Sequence, residues 1–222
     1  MKAVVLYSGG KDGHMTLLRA LDEGAEIAAL LYLDGGRNHP KLFHDSRKAA
    51  LLKELARKEG YRFLSMKVSG GLKSDAFLER MRDFIKDKAP GAGAVYMGVT
   101  DELPEENAMH RSMAGIFRQC GLKCRFPLLN SSFGEVLSEV LEKKIQTLIT
   151  GVIGTESCGY LGKTVDKRFV RHAVGLLRDS NWFQTLVIGS PAFRYGIRIK
   201  KTRRIDTAEE GSYLEILDWE VG

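Results

Sequence analysis

The chain has 222 residues, 44% hydrophobic, 28% charged and 9% aromatic, a balance that fits one large or two small globular domains and excludes a disordered or fibrous chain. Lysine and arginine number 34 against 28 acidic residues, a net charge of +6, which admits nucleotides, an acidic protein surface or, more weakly, RNA as partners. The longest apolar run, Ile27 to Leu33, falls far short of the roughly 20 residues of a membrane span, and Met1 to Tyr7 lacks the apolar region of a signal peptide, so a cytoplasmic protein without a membrane partner is expected.

Apolar runs alternate with helix-period segments from the first residue. Strands are expected at Lys2 to Tyr7, Glu26 to Leu33, Tyr61 to Val68, Ala94 to Val99 and Lys123 to Pro127. Helices are expected between them at His14 to Glu23, Phe43 to Glu59, Ser74 to Lys88 and Pro104 to Cys120. That alternation predicts an α/β fold with a mainly parallel sheet. In the fourth helix Met109, Met113, Ile116, Phe117 and Cys120 share one face, Pro104 suits the first turn, and Gly121 suits the stop. Further on, Ser132-Phe133-Gly134-Glu135 reads as a capping box opening a helix with Val136, Leu137, Val140 and Leu141 inward. Ile145 to Val152 reads as a buried strand, and Lys167 to Leu177 as a helix. The tail turns β-like at Phe183 to Ile188, Arg194 to Arg203 and Tyr213 to Val221. A soft boundary near Pro127 divides a nucleotide-binding half, 1–127, from a smaller α+β half, 128–222.

One loop carries most of the chemistry. Ser8-Gly9-Gly10-Lys11-Asp12-Gly13 follows the first strand and opens the first helix. Glycines let backbone N–H groups approach an anion, and a helix start adds unpaired donors and the positive end of its dipole. Ser8 supplies a hydroxyl and Lys11 a full charge, whereas Asp12 would repel phosphate unless a bound Mg²⁺ lies between them. The loop reads as a cradle for magnesium pyrophosphate, and it matches neither the common G-x-x-x-x-G-K-[ST] loop nor G-x-G-x-x-G.

Ser-Gly-Gly-Lys-Asp after an N-terminal strand resembles the PP-loop of the N-type ATP pyrophosphatases. Three further features narrow the likeness to the diphthine–ammonia ligases along most of the chain. They are the second strand ending at Asp34, the run Leu161-Gly162-Lys163-Thr164-Val165-Asp166 after Gly151-Val152, and Phe183-Gln184-Thr185-Leu186-Val187 with Pro191, Phe193 and Tyr195 behind it. The resemblance implies a HUP-type, adenine nucleotide alpha hydrolase-like sheet flanked by helices, with ATP and Mg²⁺ as cofactors. It implies that a carboxylate attacks the α-phosphate to give an acyl adenylate and pyrophosphate, and that ammonia then displaces AMP. The implied acceptor is a translation elongation factor carrying diphthine. Ser8, Gly9, Gly10, Lys11, Asp12, Gly13 and Asp34 would bind nucleotide, with Lys11 and Asp12 catalytic and Asp12 on the metal. Gly162, Lys163, Asp166, Gln184 and Thr185 would face the substrate.

Departures accompany the matches. Gly13 stands where the family usually has Ser, Gln184 stands for Glu, and Arg178-Asp179-Ser180-Asn181-Trp182 replaces a G-E-G-G-E run. A diverged acceptor, a nucleotide-binding module without an acceptor, and a tRNA-adenylating enzyme are the alternatives, and the sequence leaves a homo-oligomer open.

The remaining residues have plainer readings beside functional ones. Asp34 precedes Gly35-Gly36 and suits a turn as well as a nucleotide contact. His39, His44, Asp45 and His110 form no standard metal set, with His44 kept as a minor nucleotide contact. Asp101, Glu102, Glu105 and Glu106 suit either a helix N-terminus or an acidic rim near Mg²⁺. Cys120, Cys124 and Cys158 fit no disulfide or zinc pattern and are expected reduced, and Cys158 lacks a partner to activate it as a nucleophile. Arg194, Arg198, Lys200, Lys201, Arg203 and Arg204 read first as the solvated side of an edge strand and second as a macromolecular contact.

Overall fold

Burial along the first strand, β1 (Lys2–Leu6), sets the architecture: Ala3 and Val5 point to one face, Val4 to the other, and all three are fully buried. A strand apolar on both faces belongs in a covered parallel sheet. The computed structural model describes residues 1–36, 46–68, 74–100, 104–176, 183–206 and 211–222, and within these leaves aside the side chains of 46–47, 104–109, 155–156 and 176.

After β1 come α1 (Lys11–Asp22), β2 (Glu26–Asp34), α2 (Ser46–Lys58), β3 (Phe63–Lys67), α3 (Asp75–Lys88), β4 (Ala94–Tyr96), α4 (Pro104–Arg118) and β5 (Lys123–Arg125). The five strands pair in parallel in the order β3-β2-β1-β4-β5. The chain therefore winds one way from β1 to β3 and the other way from β4. The carboxyl end of β1 lies at that reversal, where open α/β sheets hold their ligands.

One sheet face packs α3 and α4 through Phe77, Leu78, Met81, Ile85, Met113 and Phe117. In α4, Met113 and Phe117 are fully buried and Ile116 and Cys120 lie beside that core, while the side chain of Met109 is outside the described ones. The Leu122 N–H returns to the Phe117 carbonyl at 3.1 Å, closing the helix at Gly121 as the sequence predicts.

The opposite face is covered by α1 and α2, and beyond them lies a second sheet. That sheet is antiparallel, in the order β7-β6-β9-β8, from β6 (Gln146–Ile153), β7 (Phe183–Gly189), β8 (Ile197–Asp206) and β9 (Gly211–Val221). Leu186, Ile197 and Val221 of these strands share one core cluster with Ala3, Val5, Tyr7, Leu52 and Leu55. Polar ties add to it: the Trp219 indole donates to Glu54 at 3.1 Å, and the Tyr195 N–H to Glu59 at 2.7 Å. The other face of the second sheet packs α5 (Phe133–Glu142) and α6 (Lys167–Leu176) through Leu137, Ile149, Phe169 and Ala173. The expected capping box is present, with Glu135 N–H on the Ser132 hydroxyl at 3.2 Å and Ser132 N–H on the Glu135 carboxylate at 2.7 Å.

Several boundaries differ from expectation. Helix α1 starts at Lys11 rather than His14, because Lys11 N–H finds a partner on β7, far away in sequence. β4 stops at Tyr96 rather than Val99, since the chain there turns to pass α1, and β8 begins at Ile197 rather than Arg194. Residues 43–45 of the expected second helix lie outside the described residues.

Candidate functional site

The loop after β1 is held from three sides. Gly9 has φ +75°, a conformation costly for any residue with a side chain. A Cβ there would also fall 2.5 Å from Leu52 Cδ2 on α2. Gly10 adopts an extended φ of −80° as the cap of α1, and a Cβ on it would press to 3.1 Å of the Thr185 carbonyl on β7. From below, Gly98 passes α1 so closely that a Cβ would sit 2.8 Å from both the Asp12 carbonyl and the Thr16 hydroxyl. The backbone thus approaches its neighbours wherever side chains are missing.

β7 fixes the loop by hydrogen bonds. Val187 N–H donates to the Gly9 carbonyl at 2.8 Å, and Lys11 N–H donates to the Thr185 hydroxyl at 3.1 Å. Thr185, expected at the substrate, is therefore also a support of the loop. No side chain of Gly10 caps α1, so of the donors that a helix start leaves unpaired, one is taken by Thr185 and the next are directed out of the helix end. That end fits an anion.

Lys11 and Asp12 lie in the first helical turn, not in the loop itself. The Lys11 ammonium contacts both Asp12 oxygens, at 2.6 and 2.8 Å, and lies 4.3 Å from the centre of the Phe133 ring on α5. The Lys11 side chain is 4% exposed and that of Asp12 40%, so the carboxylate forms the open side of the pair. Ser8 is half-buried at the loop's start, and Gly13 is buried, with space for a Cβ only 3.2 Å from Ser8 N. A Ser at this position would press on the loop backbone, which is the packing reason for glycine here.

Asp34 ends β2 on the same sheet edge, and its carboxylate accepts the Gly36 N–H at 2.8 Å, the turn-forming arrangement weighed above. Gly162 and Lys163 run beside β6, with Gly162 N–H on the Ile149 carbonyl and Ile149 N–H on the Lys163 carbonyl, both at 2.9 Å. Lys163 is exposed, its ammonium 5.9 Å from the Tyr160 ring centre. Asp166 accepts the Phe169 N–H at 2.7 Å and so caps the start of α6. Gln184 packs on Gly151, and its amide oxygen is buried without a partner. The structure thus gathers Ser8 to Gly13 and Thr185 around one helix end, while Asp166 and Asp34 each hold a local turn or cap.

Two side chains at this centre were not singled out in the sequence. Lys48, on the first turn of α2, is buried and donates to the Thr185 carbonyl at 3.3 Å. His14 is fully buried, 2.9 Å from the Ser190 hydroxyl and 3.4 Å from the Tyr7 hydroxyl, and edge-on to Phe193. Burial drives its pKa down to about 4 and pushes the Tyr7 hydroxyl far above its usual value. A lone His or Lys in a helical pattern carries no sequence signal for either placement.

Other candidates resolve simply. Cys120, Cys124 and Cys158 are free, and burial raises the Cys124 thiol to about 12. Cys158 contacts the Gly154 carbonyl and the Ser212 hydroxyl. His110 packs on Phe126, with Nδ1 buried and unpartnered. β8 is an edge strand, and Arg198 and Lys200 pair with Glu220, Arg203 with Glu215, and Arg204 with Asp206. Among the described residues no group of three or more His, Cys, Asp and Glu is placed to hold a metal, and no helix is long and apolar enough to cross a membrane. His39, His44, Asp45, Asp101, Glu102 and the Arg178 to Trp182 segment lie outside the described residues, and the side chains of Glu105 and Glu106 outside the described side chains.

The family model for the diphthamide synthase N-terminal domain matches residues 1–124. No curated protein matches the chain. Among solved structures, a predicted subunit of tRNA methyltransferase from Methanocaldococcus jannaschii is 14% identical over 86% of this chain and 98% of that one, with a TM-score of 0.47.

Proposed function

Since the chain belongs to the diphthamide synthase N-terminal domain family, a PP-loop family of ATP-utilising proteins, we propose that it is an ATP-dependent ligase that adenylates an acceptor carboxylate and amidates it with ammonia. The observation that carries this reading is the uncapped first turn of α1, wedged by β7 and α2 at the reversal point of the sheet. The triphosphate would lie on that helix end and on the glycine backbone. The protein's contribution is then positioning and charge stabilisation of the leaving pyrophosphate, without a covalent intermediate on the enzyme.

Mg²⁺ fits the residues present. Asp12 offers one half-open carboxylate, and a magnesium ion carried on phosphate oxygens needs only one or two such ligands besides water. Bound there, the ion would neutralise phosphate charge, and Lys11 would orient the carboxylate that holds it. Gly162, Lys163, Asp166, Gln184 and Thr185 are the residues proposed to face the acceptor, which we take to be diphthine on an elongation factor.

The test supplies purified protein with ATP, magnesium, diphthine-bearing elongation factor and ammonium. Pyrophosphate should form only when the acceptor is present, and AMP release with repeated turnover only when ammonium is present as well, with a Lys11→Ala loss of about 10²-fold or more and none for Lys201→Ala. Turnover that ignores the elongation factor, or follows added RNA instead, refutes the assignment of the acceptor. Equal effects of the two substitutions refute the loop.

A further inference from the structure

Lys11 opens α1, where the positive end of the helix dipole disfavours a cation, and its side chain is only 4% exposed, which disfavours one further. Two neighbours offset that cost. Both Asp12 oxygens face the ammonium, and the Phe133 ring, its centre 4.3 Å away, offers the negative side of its quadrupole. A ligand acts differently on the two. Asp12 is 40% exposed and is the group that a magnesium ion would take, so its hold on Lys11 weakens as the site fills. Phe133 carries no charge to be drawn away, and its ring stays on Lys11.

We propose that Phe133 is a positioning residue for Lys11, its ring holding the ammonium in place for the phosphates when Asp12 is drawn to the metal. The proposal rests on the reading of the loop as a polyphosphate cradle and adds to it a residue outside the loop. Phe133 is the first residue of α5, directly after Ser132, and the capping box there fixes the backbone that carries it. Phe183 of β7 stacks on the ring, with centroids 6.3 Å and planes 24° apart. Phe183 is in turn edge-on to the fully buried Phe169, at 4.9 Å. Two residues along β7, Thr185 accepts the Lys11 N–H. One strand therefore supports Lys11 at both ends, its backbone through Thr185 and its ammonium through the stacked rings. A lysine ammonium rides on a flexible stem, and a ring that restricts it before the ligand arrives lowers the ordering cost of binding. The ring also keeps water from one side of the ammonium, which strengthens its attraction to a phosphate.

The experiment is calorimetric titration of the full chain with magnesium pyrophosphate, which needs no acceptor. Phe133→Leu keeps an apolar side chain and removes the ring, and Phe133→Tyr keeps the ring face. Pentafluorophenylalanine in place of Phe133 keeps the shape of the ring and reverses its quadrupole. The Phe133→Leu and fluorinated chains should bind pyrophosphate about 2- to 30-fold more weakly, the range of one cation–π contact. The Phe133→Tyr chain should bind as the wild type does, and if Phe133→Leu fails to fold, this chain and the fluorinated one decide. A ring that merely packs would leave the fluorinated chain at wild-type affinity; that result overturns the proposal and leaves the loop reading standing. A Phe133→Tyr chain as weak as the fluorinated one overturns it too, because a retained ring face would not have retained the affinity. Failure of the wild type to bind pyrophosphate overturns the loop reading itself, and the proposal with it.

Discussion

Acidification below neutral pH should weaken this protein through His14. Its ring is fully buried against Tyr7, Ser190 and Phe193, and burial lowers its pKa from 6.5 to about 4. Between those values the unfolded chain binds a proton that the folded chain refuses, so stability is intact above pH about 6.5 and is lost as the pH falls toward 4. Each pH unit in that window costs about 1.4 kcal/mol, which makes about 2 kcal/mol between pH 6.5 and 5. Hydrogen bonds hold the Glu135, Asp206 and Glu220 carboxylates below their ordinary values of 4.5 or less, so they titrate below pH 5, the lower limit of the measurement. Urea unfolding at several pH values from 7.5 to 5 measures the slope, and His14→Gln supplies the control. The variant should be less stable at pH 7.5, where the Ser190 hydroxyl loses the imidazole and keeps, among the described residues, only the Ala192 N–H, yet its curve should be flatter, so that the gap narrows by about 2 kcal/mol by pH 5. Parallel curves would refute the argument, because His14 would then titrate alike in both states.

Two further substitutions probe how the loop is held. Gly98→Ala places a methyl group 2.8 Å from the Asp12 carbonyl, a backbone contact that cannot swing aside, and should cost about 1 to 3 kcal/mol in urea unfolding while weakening ATP binding. Thr185→Val removes the acceptor for Lys11 N–H. It should lower stability by about 1 to 3 kcal/mol and raise the dissociation constant for pyrophosphate, as read by calorimetry; an unchanged value would show that β7 does not shape the cradle.

Much of the fold is legible from local pattern. Val4 against Ala3 and Val5, the amphipathic face of α4 with its stop at Gly121, and the capping box at Ser132 all arise from contacts within a few residues. Local periodicity records such contacts directly, so the strands and helices fell close to their expected bounds. The glycines, Lys11 and Asp12 were equally visible, because a phosphate loop is continuous in the chain. Their partners were not. The start of α1 at Lys11 depends on a hydroxyl 174 residues away, and apolar periodicity, the only local guide, begins later at His14. Asp166 illustrates the converse: a conspicuous residue within a recognisable motif whose carboxylate is engaged on the N–H of Phe169 at the head of its own helix.

The amino-acid order alone determined the alternating strands and helices, the glycine-rich turn after the first strand and the chemical types available there, since each depends on residues adjacent in the chain. Only tertiary structure decided that β7 and α2 clamp that turn, that the Phe133 ring covers Lys11, and that Lys48 and His14 are buried beside it. These are contacts between distant segments, brought together by packing a second sheet onto α1 and α2, and their energetics depend on burial that no short window of sequence contains.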